Sequence, residues 1–375
     1  MRIIINIGRV ILQLIFDVHT IAPVKNRITI ISRQSNTPSL DIRMLTERLQ
    51  KELLEYEVTV LCRKLDNKVS YVWHMITTQM HSVATSRAVV LDSYCILISF
   101  LRQRSDLKVL QMWHALGAYK KFGKSILGQA EGSSQQIADI MNMHRGYDAI
   151  LASSEAGVQG FKEAFGYDED YFRIIPLPRT DLLRDPVYKE KKRAEILSAY
   201  PELAGKEIIL YAPTLRKGSA AELQEEKDRI DEFIRLVDKD RYSIILSGHP
   251  VVSHRVTING ETPVKGYTSM ELLTTADHFV TDYSAMLYEA AVMGVRTYIY
   301  AYDLDNYIDR RGFYLNPYTD LPSYPHRDPH EVIREIGYDK YDFNKLRDFA
   351  ERNVVKNDDC TGSIVNLIKE VIHEA

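Results

Sequence analysis

The sequence predicts an α/β protein made of two doubly wound parallel sheets, and three observations carry that prediction. Short apolar runs of strand length alternate with stretches of helical spacing, the pattern of βαβ units. The alternation runs through the chain twice, on either side of a proline-punctuated and then charged segment over residues 176–199. With 375 residues, of which 45% are hydrophobic and 26% charged, the chain is globular in composition and long enough for two cores.

In the first series, strands are expected at residues 27–31, 57–61, 88–91, 108–112 and 149–152, and helices at 40–54, 134–143 and 154–165. In the second, strands are expected at 208–211, 242–246, 278–281 and 297–301, and helices at 225–237, 271–275 and 284–292. The expected domains are therefore residues 1–195 and 196–375, with a cleft between them. Ligands of open α/β sheets sit outside the carboxyl ends of the strands. Residues just after each strand are where chemistry should be sought.

Composition excludes several classes. A net charge of -3 offers no global attraction to nucleic acid, which is not expected as a partner. Cys62, Cys95 and Cys360 lie far apart, without metal-ligand spacing, so neither a disulfide framework nor a zinc site is expected and the compartment should be reducing. No cleavable signal pattern is present. The apolar run over residues 3–16 is broken by Asn6, Arg9 and Gln13, too short and punctuated to span a bilayer. As a helix it aligns Ile4, Ile7, Ile11, Leu14 and Ile15 in one stripe. That stripe suits either a docking helix packed on the core or a foot lying in a membrane interface.

Four patches at strand ends carry chemistry-bearing side chains. The first runs Trp113-His114-Ala115-Leu116-Gly117-Ala118-Tyr119-Lys120-Lys121-Phe122-Gly123. His114 comes directly off a strand, and histidine is the side chain best suited to take a proton near neutral pH; Lys120 and Lys121 suit a polyanionic acceptor. The second, Tyr211-Ala212-Pro213-Thr214-Leu215-Arg216-Lys217-Gly218, presents a hydroxyl and two adjacent cations for phosphate oxygens. In the third, Ser247-Gly248-His249-Pro250, glycine permits close backbone approach, and His249 is placed to donate to a pyrophosphate or leaving phosphate. The fourth, Thr281-Asp282-Tyr283-Ser284-Ala285, brings a strand into a helix start, where Ser284 and free backbone N–H groups form an anion cradle. Asp282 either borders that cradle or stabilises the helix N-terminus. Each patch alone also has a structural explanation, as a satisfied strand-end histidine, a solvated basic loop or a helix cap.

Together, in this order, the patches resemble the CDP-glycerol glycerophosphotransferase family, the teichoic acid primases and polymerases of Gram-positive bacteria and their capsule-making relatives. The likeness runs from about Trp113 to Tyr307 and takes in Pro178-Arg179-Thr180-Asp181 and Tyr300-Ala301-Tyr302-Asp303-Leu304-Asp305-Asn306-Tyr307. It implies the glycosyltransferase-B architecture, two Rossmann-like domains facing a cleft. It further implies His114 as general base, Thr214, Arg216 and His249 on the donor pyrophosphate, and Asp282 and Ser284 bordering the same phosphates. Lys217 is grouped with the donor-binding set, and His249 with His114 as catalytic.

The chain departs from the family where many members carry WHGTPLK: its WHALGAYK form is closer to the branch with ribitol phosphate transferases. The family's SDYSS segment is TDYSA here, without the second serine. The implied reaction moves glycerol phosphate or ribitol phosphate from CDP-glycerol or CDP-ribitol to a lipid-linked acceptor, releasing CMP, on the cytoplasmic face of the membrane. No paired carboxylates with metal spacing stand out, so the expected mechanism uses no metal or other cofactor. A nucleotide-sugar glycosyltransferase or epimerase of the same architecture is the alternative enzyme, and a silent recruiting partner the alternative outside enzymes.

Overall fold

A computed structural model describes residues 2–214, 216, 219–247, 256–259, 262–338 and 340–373. The chain divides into two compact units. The first comprises Met1–Leu116, Lys121–Asp181 and Val355–Ala375; the second comprises Gly117–Lys120 and Leu182–Val354.

The first unit is built on β1 (Arg27–Ser32), β2 (Glu57–Cys62), β3 (Ala88–Leu91), β4 (Lys108–Gln111), β5 (Ala149–Ala152) and β6 (Phe172–Ile174), paired in parallel in the order β2-β1-β3-β4-β5-β6. Every residue of β1, β3 and β5 is buried, as parallel strands covered on both faces should be. The second unit holds β7 (Glu207–Ala212), β8 (Tyr242–Ser247), β9 (Val256–Ile258), β10 (Thr262–Val264), β11 (His278–Thr281), β12 (Arg296–Tyr300) and β13 (Pro325–His326), in the order β10-β9-β8-β7-β11-β12-β13. All its pairings are parallel except β8–β9 and β9–β10. The nine expected strands are all present. The strands absent from the expectation, β6, β9, β10 and β13, are two or three residues long, too short to show a period.

The expected domain division needs correction in two places. The junction near residue 195 lies instead at Asp181 and Leu182, and the C-terminal segment belongs to the first unit. The reason is a set of contacts between residues far apart in sequence. Arg48 pairs with Asp359 at 2.8 Å, Lys369 with Glu52 at 2.8 Å, and Val355 N–H donates to the Ser153 carbonyl at 2.8 Å. Asp181 contributes more: its carboxylate accepts from Cys360 N–H at 2.7 Å, Thr361 N–H at 3.1 Å and the Thr361 hydroxyl at 2.6 Å. These are first-turn donors of the helix Cys360–His373, which have no partner within the helix itself.

The N-terminal apolar run forms one helix, Arg2–His19. It is anchored inward by the buried Phe16 and by Gln13, which accepts from Arg102 N–H at 2.8 Å and donates to the Arg102 carbonyl at 3.3 Å. The outward stripe is Ile3, Ile7, Val10, Ile11, Leu14 and Val18, all exposed. The expected stripe is thus rotated, with Ile15 half-buried instead of on the open face. Among the described residues, no helix is long and apolar enough to cross a membrane.

Asp181→Ala strands three donors at the start of a buried helix. It should lower stability by roughly 2–3 kcal/mol, read as a shift in urea midpoint at unchanged slope; a shift within error would refute the cap.

Candidate functional site

In the first unit the functional patch sits where β4 ends. Trp113 adopts a left-handed backbone (φ 61), unusual for a bulky residue and a turn that side-chain contacts must hold. Two contacts do so: Gln111, fully buried, accepts from Trp113 N–H at 3.0 Å, and the Trp113 ring stacks on Phe122 at 4.9 Å. The turn delivers His114 into a defined pose. Its Nδ1 lies 2.8 Å from the backbone carbonyl of Asp92, the residue after β3. A carbonyl only accepts, so Nδ1 carries the proton and Nε2 keeps its lone pair. The His114 side chain remains open to solvent, yet desolvation by the surrounding protein, with Arg179 adding, holds its pKa below 6.5. The imidazole is therefore neutral at pH 7, the state a base requires.

Arg179 and Asp181 divide the work of the Pro-Arg-Thr-Asp segment. Arg179 donates from its backbone N–H to Asp41 at 2.8 Å, pairs with the same carboxylate through its guanidinium, and reaches the His114 carbonyl at 3.1 Å. Asp41, in the first turn of the helix Leu40–Glu52, is buried. The Gln34 amide nitrogen, after β1, lies 3.3 Å from His114 Nδ1, a packing neighbour and not a donor to a nitrogen that already carries its proton. Asp41, Asp92 and Gln34 were not singled out from sequence, because what marks them is contact with residues 22 to 138 positions away.

In the second unit the strand ends of β7, β11 and β12 converge on Arg216. Its Nε and Nη2 grip Asp303 at 2.9 and 2.8 Å, and its Nη1 donates to Asp282 at 2.7 Å and to the Thr214 carbonyl at 2.6 Å. The rings of Tyr283, Tyr302 and Tyr307 lie 4.9, 5.3 and 5.7 Å from the guanidinium carbon. Burial alone would lower the Arg216 pKa, but the two carboxylates outweigh it and raise it further. Arg216, expected on the donor pyrophosphate, is thus engaged by Asp303, Asp282 and the Thr214 carbonyl, and Asp282, expected to border the same phosphates, is turned to Arg216. Asp282 is 2% exposed and also accepts from the backbone N–H groups of Thr214, at 2.9 and 3.1 Å, and Tyr283. Both side chains serve the frame of the loops. Asp303, noted in sequence only as part of an aromatic and acidic loop, completes that frame.

Groups suited to an anion remain beside it. The Thr214 hydroxyl is buried without a partner among the described residues. The helix Met286–Met293 starts two residues later than expected, and the Ser284 hydroxyl accepts from Met286 N–H at 3.2 Å. The backbone N–H groups of Ser284 and Ala285 make no hydrogen bond among the described residues. Lys217 and His249 lie outside the described residues.

Lys120 falls in the second unit and Lys121 in the first. Lys120 pairs through its backbone with Phe313, on which Tyr119 stacks at 4.8 Å. Two glycines of the same segment have steric causes. A Cβ at Gly117 would lie 2.5 Å from the Tyr288 ring, and one at Gly123 (φ 59) would collide with the Ala164 carbonyl. Among the described residues, no three His, Cys, Asp or Glu side chains are grouped as metal ligands.

Comparison with known proteins gives a consistent picture. The family model for CDP-glycerol:poly(glycerophosphate) glycerophosphotransferase matches residues 14–370. The teichoic acid ribitol-phosphate primase of Bacillus spizizenii is 28% identical over 344 residues, covering 89% of this chain and 88% of the relative. The teichoic acid glycerol-phosphate primase of Bacillus subtilis is 28% identical over 307 residues, 80% of this chain and 77% of the relative. The solved structure of the wall teichoic acid polymerase TagF superposes with a TM-score of 0.77 at 21% identity, covering 100% of this chain and 98% of that one. At that identity the likeness speaks for the fold: two Rossmann-like units of glycosyltransferase-B type.

The Asp92 side chain supplies a test of the His114 environment. Burial raises its pKa to about 6, one oxygen accepts from the Ser32 hydroxyl at 2.6 Å, and the other has no partner among the described residues. A carboxyl whose folded pKa exceeds its unfolded one contributes stability that is full below the unfolded value and lost as pH rises through 6. Asp92→Asn keeps the backbone carbonyl on His114 and removes the buried charge. It should stabilise the protein at pH 8 by up to roughly 3 kcal/mol and by less at pH 4.5, measured by thermal denaturation. An equal effect at both pH values would refute the burial of a charged Asp92.

Proposed function

Because the chain belongs to the CDP-glycerol:poly(glycerophosphate) glycerophosphotransferase family and is a CDP-polyol phosphotransferase, we propose that it moves ribitol phosphate from CDP-ribitol to a hydroxyl of a lipid-linked wall-polymer acceptor. The variant WHA segment and the ribitol-phosphate primase matched over 89% of this chain support ribitol; CDP-glycerol is the competing donor. The observation that carries the mechanism is the 2.8 Å contact of His114 Nδ1 with the Asp92 carbonyl, which leaves Nε2 as the proton acceptor.

The acceptor hydroxyl attacks the β-phosphorus that bears the polyol, and its proton passes to His114 Nε2. The bond from that phosphorus to the bridging oxygen breaks, and CMP leaves with the electron pair. The Thr214 and Ser284 hydroxyls and the N–H groups of Ser284 and Ala285 bind the pyrophosphate, with His249 assigned there by the family pattern and Lys217 by its place beside Arg216. Arg216 and Asp282 hold this cradle in shape. Lys120 and Lys121 are assigned to a polyanionic acceptor from their place in the sequence. Charge neutralisation by helix-start donors and cations takes the part a divalent metal plays in other phosphoryl transfers. The exposed stripe of the helix Arg2–His19 seats the protein peripherally on the cytoplasmic face of the membrane.

Purified protein offered CDP-ribitol, CDP-glycerol and UDP-sugars with a lipid-linked acceptor should release CMP from CDP-ribitol fastest. Preference for CDP-glycerol overturns the polyol, and release of UDP alone overturns the class. In the same assay His114→Ala should be slower by about 10²–10⁴-fold, and the wild-type rate should fall only as pH drops below 6.5. Near-wild-type turnover by that variant removes His114 as base. Excess EDTA should leave the rate unchanged; its abolition would establish a metal requirement.

A further inference from the structure

A hollow of about 700 Å³ in the first unit lies against the inner edge of the N-terminal helix. Its wall includes Arg9, Val10 and Gln13 of that helix, Arg102 and Arg104 of the segment before β4, and Arg145 and Asp148 before β5. Four arginines thus face one carboxylate in a chain whose net charge is -3. That carboxylate is occupied, since Asp148 accepts from Val109 N–H at 2.7 Å, and burial raises its pKa. Arg104 is occupied too, by Asp106 at 2.9 Å and the Ser86 carbonyl at 2.8 Å. Arg9, Arg102 and Arg145 are different: among the described residues, none of their guanidinium groups has a hydrogen-bond or ion-pair partner.

Three exposed guanidiniums without partners among the described residues line one hollow, and together they give it a positive potential that an entering anion would meet. Their position says which anion. Arg9 and Val10 are neighbours on the helix whose other exposed apolar side chains are Ile3, Ile7, Ile11, Leu14 and Val18, and Gln13 ties that helix to the Arg102 backbone. The apolar stripe of the helix therefore adjoins a hollow lined by forked phosphate donors, Arg9 on the helix itself and Arg102 and Arg145 beside it, the two halves of a phospholipid's chemistry.

We propose that this hollow binds the phosphate headgroup of an anionic lipid, so that the N-terminal helix selects anionic membrane surface and not merely any bilayer. The proposal rests on the peripheral membrane seating proposed above and adds lipid selectivity to it. Each arginine near an anionic surface contributes about 1 kcal/mol, so losing three should cost roughly 100-fold in partitioning.

Full-length protein is sedimented with vesicles of phosphatidylcholine alone and of phosphatidylcholine with phosphatidylglycerol. Wild type should bind both, and the mixed vesicles far more tightly at low salt. The triple variant Arg9→Ala, Arg102→Ala, Arg145→Ala should keep its binding to neutral vesicles and lose the anionic preference, while its CMP release from soluble donor stays unchanged as the folding control. A triple variant that retains the preference overturns the headgroup site and leaves the membrane foot standing. Failure of wild type to bind either vesicle overturns the foot itself. Inorganic phosphate that binds wild type but not the triple variant in solution, while wild type sediments equally with both vesicles, assigns the hollow to free phosphate and overturns the lipid assignment. The variant Ile7→Asp, Ile11→Asp separates the two parts, since it should weaken binding to both vesicles alike.

Discussion

The second unit depends on one buried ion cluster, Arg216 held between Asp282 and Asp303. Each of the three comes from the end of a different strand, β7, β11 and β12, and each loop is otherwise free to choose its path. Burying three charges is costly, and mutual attraction offsets the cost only when geometry is good and the remaining donors are satisfied. Here the Arg216 fork meets Asp303 with two hydrogen bonds, Asp282 takes Nη1 and the Thr214 N–H, and the Tyr283 hydroxyl donates to Asp303 at 2.8 Å. Removing one partner would leave a buried charge uncompensated, at a cost of about 3–5 kcal/mol. The cluster carries one more negative than positive charge. The proposed pyrophosphate binding at these strand ends therefore draws on the helix start at Ser284 and on cations outside the cluster.

The first unit solves a similar problem with backbone geometry. His114 has to project from a strand end in one orientation and one tautomer. A left-handed Trp113 makes the turn, at a cost of order 1–3 kcal/mol, and Gln111, Phe122 and the Arg179–Asp41 pair hold it against relaxation. The Asp92 contribution is split between backbone and side chain: its carbonyl fixes the imidazole, while its carboxylate is buried and poorly solvated. In the proposed role of base, a His114 held this way is ready before any ligand arrives, so little reorganisation is left for the reaction step.

Much of this was legible in the sequence, and the parts that were not share a cause. The nine longer strands announced themselves by apolar runs bounded by turn residues, and His114 by its place after one of them. The short strands carry too few residues to show a period. Arg216 looked like an open cation because a Thr-x-Arg loop with a following lysine reads as basic; its two carboxylate partners lie 66 and 87 positions downstream. Asp181 and Cys360, which join the tail to the first unit, are 179 positions apart. Local pattern reports which face of an element is apolar. It does not report whether that face meets a core or solvent, which is why the N-terminal stripe was readable as a stripe but not as an exposed one.

The placement of cations makes the same point about charge. Counting residues gives a chain close to neutral, and a neutral chain has no evident reason to bind phosphates. Pairing changes the picture, because a cation already gripped by carboxylates presents little field to a ligand. Arg216, Arg179, Arg27 and Arg48 all belong to that group, each holding an acidic partner in the fold. Arg9, Arg102 and Arg145 do not, and they cluster at one end of the first unit beside an open apolar stripe. What a ligand meets is the unpaired remainder of the charge, concentrated where the fold has left it. Under the headgroup proposal, Arg9, Arg102 and Arg145 are the arginines left for recognition, while Arg216, Arg179, Arg27 and Arg48 serve the fold.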